Sequence, residues 1–435
     1  MIMKNIINIG LIGFGTIGTG VVKALKERAS FLEKRVGVEL KIKTICDKDI
    51  ISPRDVEVEP AILTTDVNKV INDPEIKIVI ELVGGLHPAK EFIIRSLGAG
   101  KHVITANKAL LAETMGELFQ IARDNDVDLY FEASVGGGIP IIKALREGLI
   151  ANHIHSIFGI VNGTSNYILT KMTEESCDFK VALQEAQEKG YAEKDPTLDI
   201  KGIDSAHKLT ILATLGFGID VRLSDIYVEG ILDILPNDIR YADELGCVIK
   251  LLAIAKRVGE ELEVRVHPTL IPKEHLLSSV KGVFNAIYVS GDMVGNILLY
   301  GRGAGQRPTT SAVISDIVDI ARNIIHNSKR RIPPPIQDTH VKRIKRMEEI
   351  ETRCYIRFSA IDRPGVFAQI TRVLGEHNIS IASVIQKERM KERIVPIVML
   401  THEADELNIR QAIQEIDLLP IVKRKSVVIR MEKEE

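Results

Sequence analysis

A run of mostly apolar, β-branched residues at 6–12 passes directly into Gly13-Phe14-Gly15-Thr16-Ile17-Gly18 and then into the helical pattern VVKALKER. No other stretch restricts the fold so tightly. A strand, glycines at these spacings and then a helix make a turn whose backbone N–H groups approach a pyrophosphate at the positive end of the helix. The chain is therefore expected to begin with a doubly wound α/β domain that binds a dinucleotide through Gly13, Phe14, Gly15, Thr16, Ile17 and Gly18.

The residues that follow alternate as such a domain requires. Strands are expected at 40–45, 78–82, 102–105 and 128–131, with a helix over 88–97, which gives a parallel sheet with right-handed crossovers. The strand at 40–45 ends in Cys46-Asp47-Lys48, an acid suited to a ribose hydroxyl beside a base suited to a 2′-phosphate, so NAD and NADP are both open. Lys108 closes Thr105-Ala106-Asn107-Lys108 just beyond a strand's carboxyl end, where open α/β sheets bind their ligands. Glu132 precedes ASVGGGIP, a glycine turn that exposes carbonyls. With the Glu132 carboxylate these could hold a monovalent cation, or the turn simply closes the domain.

Further on, a strand at 155–160 leads to Asn162-Gly163-Thr164-Ser165-Asn166-Tyr167, side chains that suit a helix cap or a ligand equally. Then comes GYAEKDPTLDIKGIDSAHK at 190–208, followed by LTILATLG, which has the composition of a buried helix. Asp204 and Lys208 are four apart and share one helix face, with Glu193 upstream in a Gly- and Pro-punctuated loop. Taken alone this is an ordinary helix-start ion pair worth about 0.2–0.5 kcal/mol. At the mouth of a buried helix, in a chain with a dinucleotide motif, the same residues are candidates for chemistry.

Alternating segments at 261–268 and 282–289 place the middle of the chain in a separate α+β domain with a mostly antiparallel sheet. Gly301-Arg302-Gly303-Ala304-Gly305 opens an amphipathic helix expected to return to the first domain. A basic, proline-rich segment then reads as a linker, and the remaining residues restart as β-α-β-β-α-β, the order of a ferredoxin-like fold.

Composition removes several classes of function. A net charge of −2 gives no bias toward nucleic acid, and no apolar run approaches the length of a membrane span. The N-terminus lacks a small-residue cleavage site. Cys46, Cys177, Cys247 and Cys354 are scattered, without the spacing of a disulfide framework or a zinc site, so the expected compartment is the reducing cytoplasm.

Taken together, the glycine fingerprint at 13–18, TANK ending at Lys108, EASVGGGIP from Glu132, NGTSNYIL from Asn162, GYAEKDP with Glu193 and GIDSAHK with Asp204 and Lys208 resemble the homoserine dehydrogenases. The match runs through nearly the whole chain. The last module, with Asp362-Arg363-Pro364-Gly365 at its first turn, resembles an ACT domain, the small amino-acid-sensing fold. The resemblance implies a Rossmann-like domain at 1–140 completed by the helix 306–327, a substrate-binding and dimerisation domain at 141–305, a linker at 328–350 and an ACT domain at 351–435.

It also implies reversible NAD(P)H-dependent reduction of L-aspartate 4-semialdehyde to L-homoserine, in threonine, methionine and isoleucine synthesis. By the same resemblance, Lys208 and Lys108 supply positive charge and a proton at the developing alkoxide, and Glu193 and Asp204 hold the substrate's ammonium or hydroxyl side. Gly190, Gly305 and Lys108 line the cofactor, and Glu132 with the backbone of Val135, Gly137 and Ile139 holds sodium or potassium. Subunits pair through the middle domain into a homodimer or higher homo-oligomer, and threonine is the expected effector of the last module, with Asn378-Ile379-Ser380 among its contacts. One departure stands out: the family often has an arginine where this chain has Cys46, which weakens the case for NADP. Two other readings compete, a different dehydrogenase on the same architecture and an amino-acid-responsive binding protein whose nucleotide domain is a relic.

Overall fold

Strand β1 (Ile6–Ile12) lies at the centre of a parallel sheet, and Ile9, Leu11 and Ile12 along it are buried. The computed structural model describes residues 6–328, 331–332, 341–387 and 393–432, so much of the segment expected as a linker lies outside the described residues. The chain forms two compact units, the first within residues 1–154, 210–223 and 290–338 and the second within 155–209, 224–289 and 339–435.

In the first unit β1 is followed by α1 (Thr16–Glu27), α2 (Ala29–Val36), β2 (Glu39–Cys46), β3 (Leu63–Thr64), α3 (Asn68–Ile71), β4 (Ile76–Glu81), α4 (Ala89–Gly98), β5 (His102–Thr105), α5 (Lys108–Asp124), β6 (Leu129–Tyr130) and the short α6 (Ile141–Lys143). The sheet runs β3-β2-β1-β4-β5-β6, with every neighbouring pair parallel. This is the doubly wound order, and its direction reverses between β1 and β4, the place where such sheets take a dinucleotide. The helix Gln306–Ile325 shares this core: Val313, Ile317 and Ile320 pack with Val21 and Leu25 of α1 and with the strands. The approach is close, since a Cβ on Gly20 would stand 2.4 Å from Thr310 Oγ1.

The second unit carries β7 (Ile154–Ile160), α7 (Gly163–Glu175), α8 (Phe179–Glu188), α9 (Thr197–Ile200), the start of α10 (Ile203–Phe217, whose residues from 210 on are counted in the first unit), β8 (Tyr227–Val228), α11 (Pro236–Glu244), β9 (Cys247–Val258), β10 (Glu261–Pro272) and β11 (Phe284–Gly291). After β12 (Gly295–Arg302) and α12, the helix Gln306–Ile325 already described, the chain returns to this unit as β13 (Arg343–Lys345), β14 (Glu351–Ile361), α13 (Val366–Glu376), β15 (Ile381–Ile385), β16 (Ile394–Thr401), β17 (Ala404–Asp405), α14 (Glu406–Asp417) and β18 (Val422–Met431).

The hairpin β9-β10 is antiparallel over its whole length, and β7 lies antiparallel to β9. The last module has strand order β18-β14-β16-β15, the ferredoxin-like arrangement, around a core of its own that includes Ile356, Phe358, Ile370 and Ile413. Its edge strand β18 also pairs in parallel with β10, at Thr269 with Arg430 and Leu270 with Met431. The module and the middle sheet therefore share a hydrogen-bonded seam. Two elements lie outside the sequence expectation. Strand β9, CVIKLLAIAKRV, is buried along most of its length and so shows no two-residue alternation, and FLEKRV belongs to a second helix, α2, which ends on Gly37 at φ 91°. Among the described residues no helix is long and apolar enough to cross a membrane, and the four cysteines are free thiols.

Candidate active site

The glycine turn after β1 separates two kinds of glycine. Gly13 has φ 102°, and a Cβ there would lie 2.6 Å from the Leu82 carbonyl carbon; a Cβ on Gly18 would lie 2.2 Å from the Gly13 oxygen. Both are demanded by the protein's own packing. A Cβ on Gly15 would meet nothing within 4 Å, and no side chain caps α1 at this point. Open space before uncapped helical N–H groups fits a pyrophosphate.

The Asp47 carboxylate accepts the Phe14 amide and, at 2.8 Å, the Asp49 amide. Arg54, which the motifs did not single out, donates Nε to the Phe14 carbonyl at 2.8 Å and lies 5.6 Å from the Phe14 ring centroid. The acid expected to meet a ribose thus also braces the turn.

At the ends of β4 and β5 the buried Glu81 accepts the amides of Val83 (2.7 Å) and Gly84 (3.2 Å) and the Thr105 hydroxyl (2.7 Å). Asn107 caps α5 through the Leu110 amide and donates to the Gly85 carbonyl at 2.6 Å, which leaves Lys108 as the first residue of the helix. Glu81 is the organiser here, and its one sequence signal was an acid closing an apolar strand. A Cβ on Gly137 would stand 2.5 Å from the Gly303 oxygen, and the Gly138 amide donates to Arg302 at 3.1 Å, so the two glycine clusters meet backbone to backbone. Gly305, at φ 114°, opens α12.

The Glu132 carboxylate accepts the amides of Ile142 (2.9 Å) and Lys143 (2.8 Å), and its N–H donates to Asp316. Burial pushes the Glu132 carboxyl up to about 7, and burial with Glu132 beside it raises Asp316 further above the carboxylate range. Val135 and Ile139 are buried, and the Ile139 carbonyl accepts the Ile141 amide at 2.8 Å. Among the described residues no three His, Cys, Asp or Glu side chains are grouped to hold a metal.

In the second unit Asn162, the cap of α7, accepts the Ser165 amide at 2.8 Å and sends both amide hydrogens to carboxylates, Asp199 at 2.6 Å and Asp204 at 2.8 Å. Lys208 Nζ donates to Asp204 at 2.7 Å and to the Val161 carbonyl at 2.6 Å. Asp204 is 6% exposed and Lys208 8%, so this is a buried, hydrogen-bonded pair and the small worth of a surface pair does not describe it. The structure brings Asn162, Asp199, Asp204 and Lys208 together. Asp199 was not foreseen. Glu193 lies on an exposed turn, which is tied down by Thr164 Oγ1 on the Tyr191 carbonyl (2.7 Å) and by Gln187 on the Glu193 carbonyl (3.2 Å). Gly190, at φ 70°, begins that turn with open space at its Cβ position.

A doubly wound sheet with an open glycine turn at its switch point, in a chain that also buries a lysine–carboxylate pair at a helix mouth, defines an NAD(P)-dependent oxidoreductase. Residues 13–132 match the family model for the homoserine dehydrogenase NAD binding domain, 140–318 that for homoserine dehydrogenase, and 355–417 that for the ACT domain. The chain belongs to the homoserine dehydrogenase family. It is 45% identical to the homoserine dehydrogenase of Neisseria gonorrhoeae, over 98% of both chains, and 43% identical to that of Pseudomonas aeruginosa, over 98% of this chain and 99% of the other. Among solved structures, a homoserine dehydrogenase from Thiobacillus denitrificans superposes with a TM-score of 0.91 at 45% identity, over 99% of each chain. A hyperthermophilic archaeal homoserine dehydrogenase in complex with NADPH gives 0.61 at 27% identity, over 73% of this chain and 98% of that one.

Proposed function

We propose that Lys208, steadied by Asp204 and the Val161 carbonyl, is the proton donor in the reversible reduction of L-aspartate 4-semialdehyde to L-homoserine. The observation that carries this is the buried Asn162–Asp204–Lys208 network, which holds an ammonium in one place at the head of α10. When bound, the nicotinamide supplies a hydride to the aldehyde carbon. The carbonyl oxygen gains the electron pair of the broken π bond and takes a proton from the Lys208 ammonium, which is replenished from solvent. Asp204 favours the charged lysine, Asn162 fixes Asp204, and Lys108 adds positive charge for the developing alkoxide. Glu193 and Asp204 hold the substrate's ammonium side.

The turn at 13–18, with Gly305, lines the cofactor. Asp47, just after β2, serves a ribose hydroxyl, while the archaeal relative is in complex with NADPH, so rates with both cofactors decide the preference. A sodium or potassium ion at this turn would be held by Glu132, whose carboxylate oxygens keep lone pairs beyond the two amides they accept, and by the carbonyls of Val135, Gly137 and Ile139. In the last module Asp362 Oδ2 is buried without a hydrogen-bond partner among the described residues, at the turn before α13. That orphaned oxygen supports an amino-acid effector such as threonine there, with 378–380 beside it. A homodimer built on the middle domain, in the cytoplasm, completes the reading.

The test follows NADH and NADPH absorbance with aspartate semialdehyde, for the wild type and Lys208→Ala. Oxidation by the wild type alone supports the assignment. Equal rates for a folded Lys208→Ala protein sink it.

A further inference from the structure

We propose that the seam between the middle sheet and the C-terminal module contains a second ligand site, selective for a zwitterionic α-amino acid and separate from the turn at Asp362. Between β9, β10, β13, β14 and β18 lies a cavity of about 370 Å³, within the range of small-ligand pockets. Strand alternation builds its wall. On β10, Glu263 and Arg265 share one face, and on β14 Arg353 shares a face with Tyr355 and Arg357.

The wall carries Lys256, Arg265, Lys345 and Arg353, interleaved with Glu263, Glu351, Glu403 and Glu432. Any purely anionic or cationic guest would face as many opposing charges as matching ones. A molecule with an ammonium next to a carboxylate can satisfy both signs at once. Val258 and Met431 add apolar surface and Thr352 a hydroxyl, room for a small side chain.

Arg265 gives the second, independent sign of a guest. It is 2% exposed and its terminal nitrogens go to Glu263 and Glu432, yet its Nε is buried without a partner among the described residues. A buried N–H left unpaired is costly, because it has given up water for nothing. A ligand carboxylate would relieve that cost.

Occupancy here reaches the reaction through a short physical route. Arg265 and Val266 of β10 pair with Tyr227 and Val228 of β8. Just beyond β8, Ile231 donates to the Ile200 carbonyl at 2.9 Å, and a Cβ on Gly230 would lie 2.1 Å from that same oxygen. Ile200 adjoins Asp199, a partner of Asn162. Arg430 of β18 clamps the segment from the module's side, bonding Glu406 at 2.9 and 3.0 Å and also Glu229. A guest that shifts Arg265 therefore shifts the residues next to the Lys208 network.

The experiment uses the full-length enzyme and calorimetric titration with each of the standard protein amino acids, then with N-acetyl and methyl-ester forms of any that bind. Variants are Lys345→Gln and Arg353→Gln in the cavity wall and Asp362→Asn at the other turn, each checked for unchanged thermal midpoint and basal turnover. The expected result is an amino acid whose affinity falls about tenfold or more in both wall variants, the loss of one charge-assisted hydrogen bond, and survives in Asp362→Asn. Both blocked forms should fail to bind. No heat from any amino acid, or binding abolished by Asp362→Asn and untouched by the wall variants, would overturn the proposal, whatever the outcome of the semialdehyde assay.

Discussion

Replacing Asn162 by aspartate tests the charge balance of the site, because it exchanges one donor group and almost no volume. Asn162 gives one hydrogen to Asp199 at 2.6 Å and the other to Asp204 at 2.8 Å, while Oδ1 caps α7. The new carboxyl keeps the cap, for which aspartate is as good as asparagine. If ionised it would face two carboxylates, each repelling it by about 6 kcal/mol at this separation and an effective dielectric of about 20. The Lys208 ammonium, already bonded to Asp204, offsets part of this.

One uncompensated pair is enough to raise the new group's pKa by about four units, from about 3.9 toward about 8, at roughly 1.4 kcal/mol per unit. The group then folds protonated at neutral pH. Its single O–H cannot serve two acceptors, so one charge-assisted hydrogen bond worth about 1.5–3 kcal/mol is lost. A pKa raised on folding means relative stability that is full below about pH 4 and is lost as pH rises toward about 8. The gap to wild type should widen by about 1.4 kcal/mol per pH unit between about pH 5 and 7. Urea denaturation followed by circular dichroism at several pH values in this window measures it, with Asn162→Ala as a control whose gap stays level. A level gap for Asn162→Asp would refute the convergence of these three side chains.

Lys208→Ala should lower turnover by about a hundred- to ten-thousandfold in single-turnover assays, with cofactor binding unchanged. Gly15→Ala should leave the thermal midpoint near wild type and weaken cofactor binding, since its Cβ meets only open space; Gly18→Ala, 2.2 Å from the Gly13 oxygen, should lose about 1–3 kcal/mol of stability. The reverse pattern would mean that Gly15 serves packing. Asp238→Ala should cost about 3–5 kcal/mol, because it strands the buried Arg357 guanidinium that now bonds it at 2.6 Å, and chemical denaturation reads the loss directly.

The parts of this molecule that were legible in the sequence are those whose cause is local. The strand–glycine–helix start of the first unit needs only neighbours in sequence, and the strand expected at 102–105 is β5 with the same ends. β9 was hidden because burial on both faces erases alternation, leaving Lys250 as a lone polar residue in an apolar run. The Asp204–Lys208 spacing showed a shared helix face, but spacing is silent about burial, which changes the physics of the pair. Asn162 and Asp199 are 37 apart in sequence, and only the packing of α7 beside α9 makes them partners. The amides that the Glu132 carboxylate accepts lie ten and eleven residues on, partners that only the fold supplies.

The last module looked like an appendage beyond a linker, and its docking face argues otherwise. On β14, Cys354, Ile356, Phe358 and Ala360 enter the module's core, while the alternate residues Tyr355 and Arg357 both bond Asp238 of α11. Asp238 and Tyr355 are fully buried. A buried ion pair of this kind adds little net stability, because desolvation cancels much of its attraction, but it penalises wrong geometry heavily. A slip of one residue along β14 would drive Tyr355 and Arg357 into the apolar core and set Ile356 and Phe358 against a buried carboxylate. Apolar contacts alone would tolerate a looser seam; the Asp238 cluster admits one register. The proposed signal between the module and α10 requires that rigidity, because a seam free to slide would absorb any displacement made at one side of it.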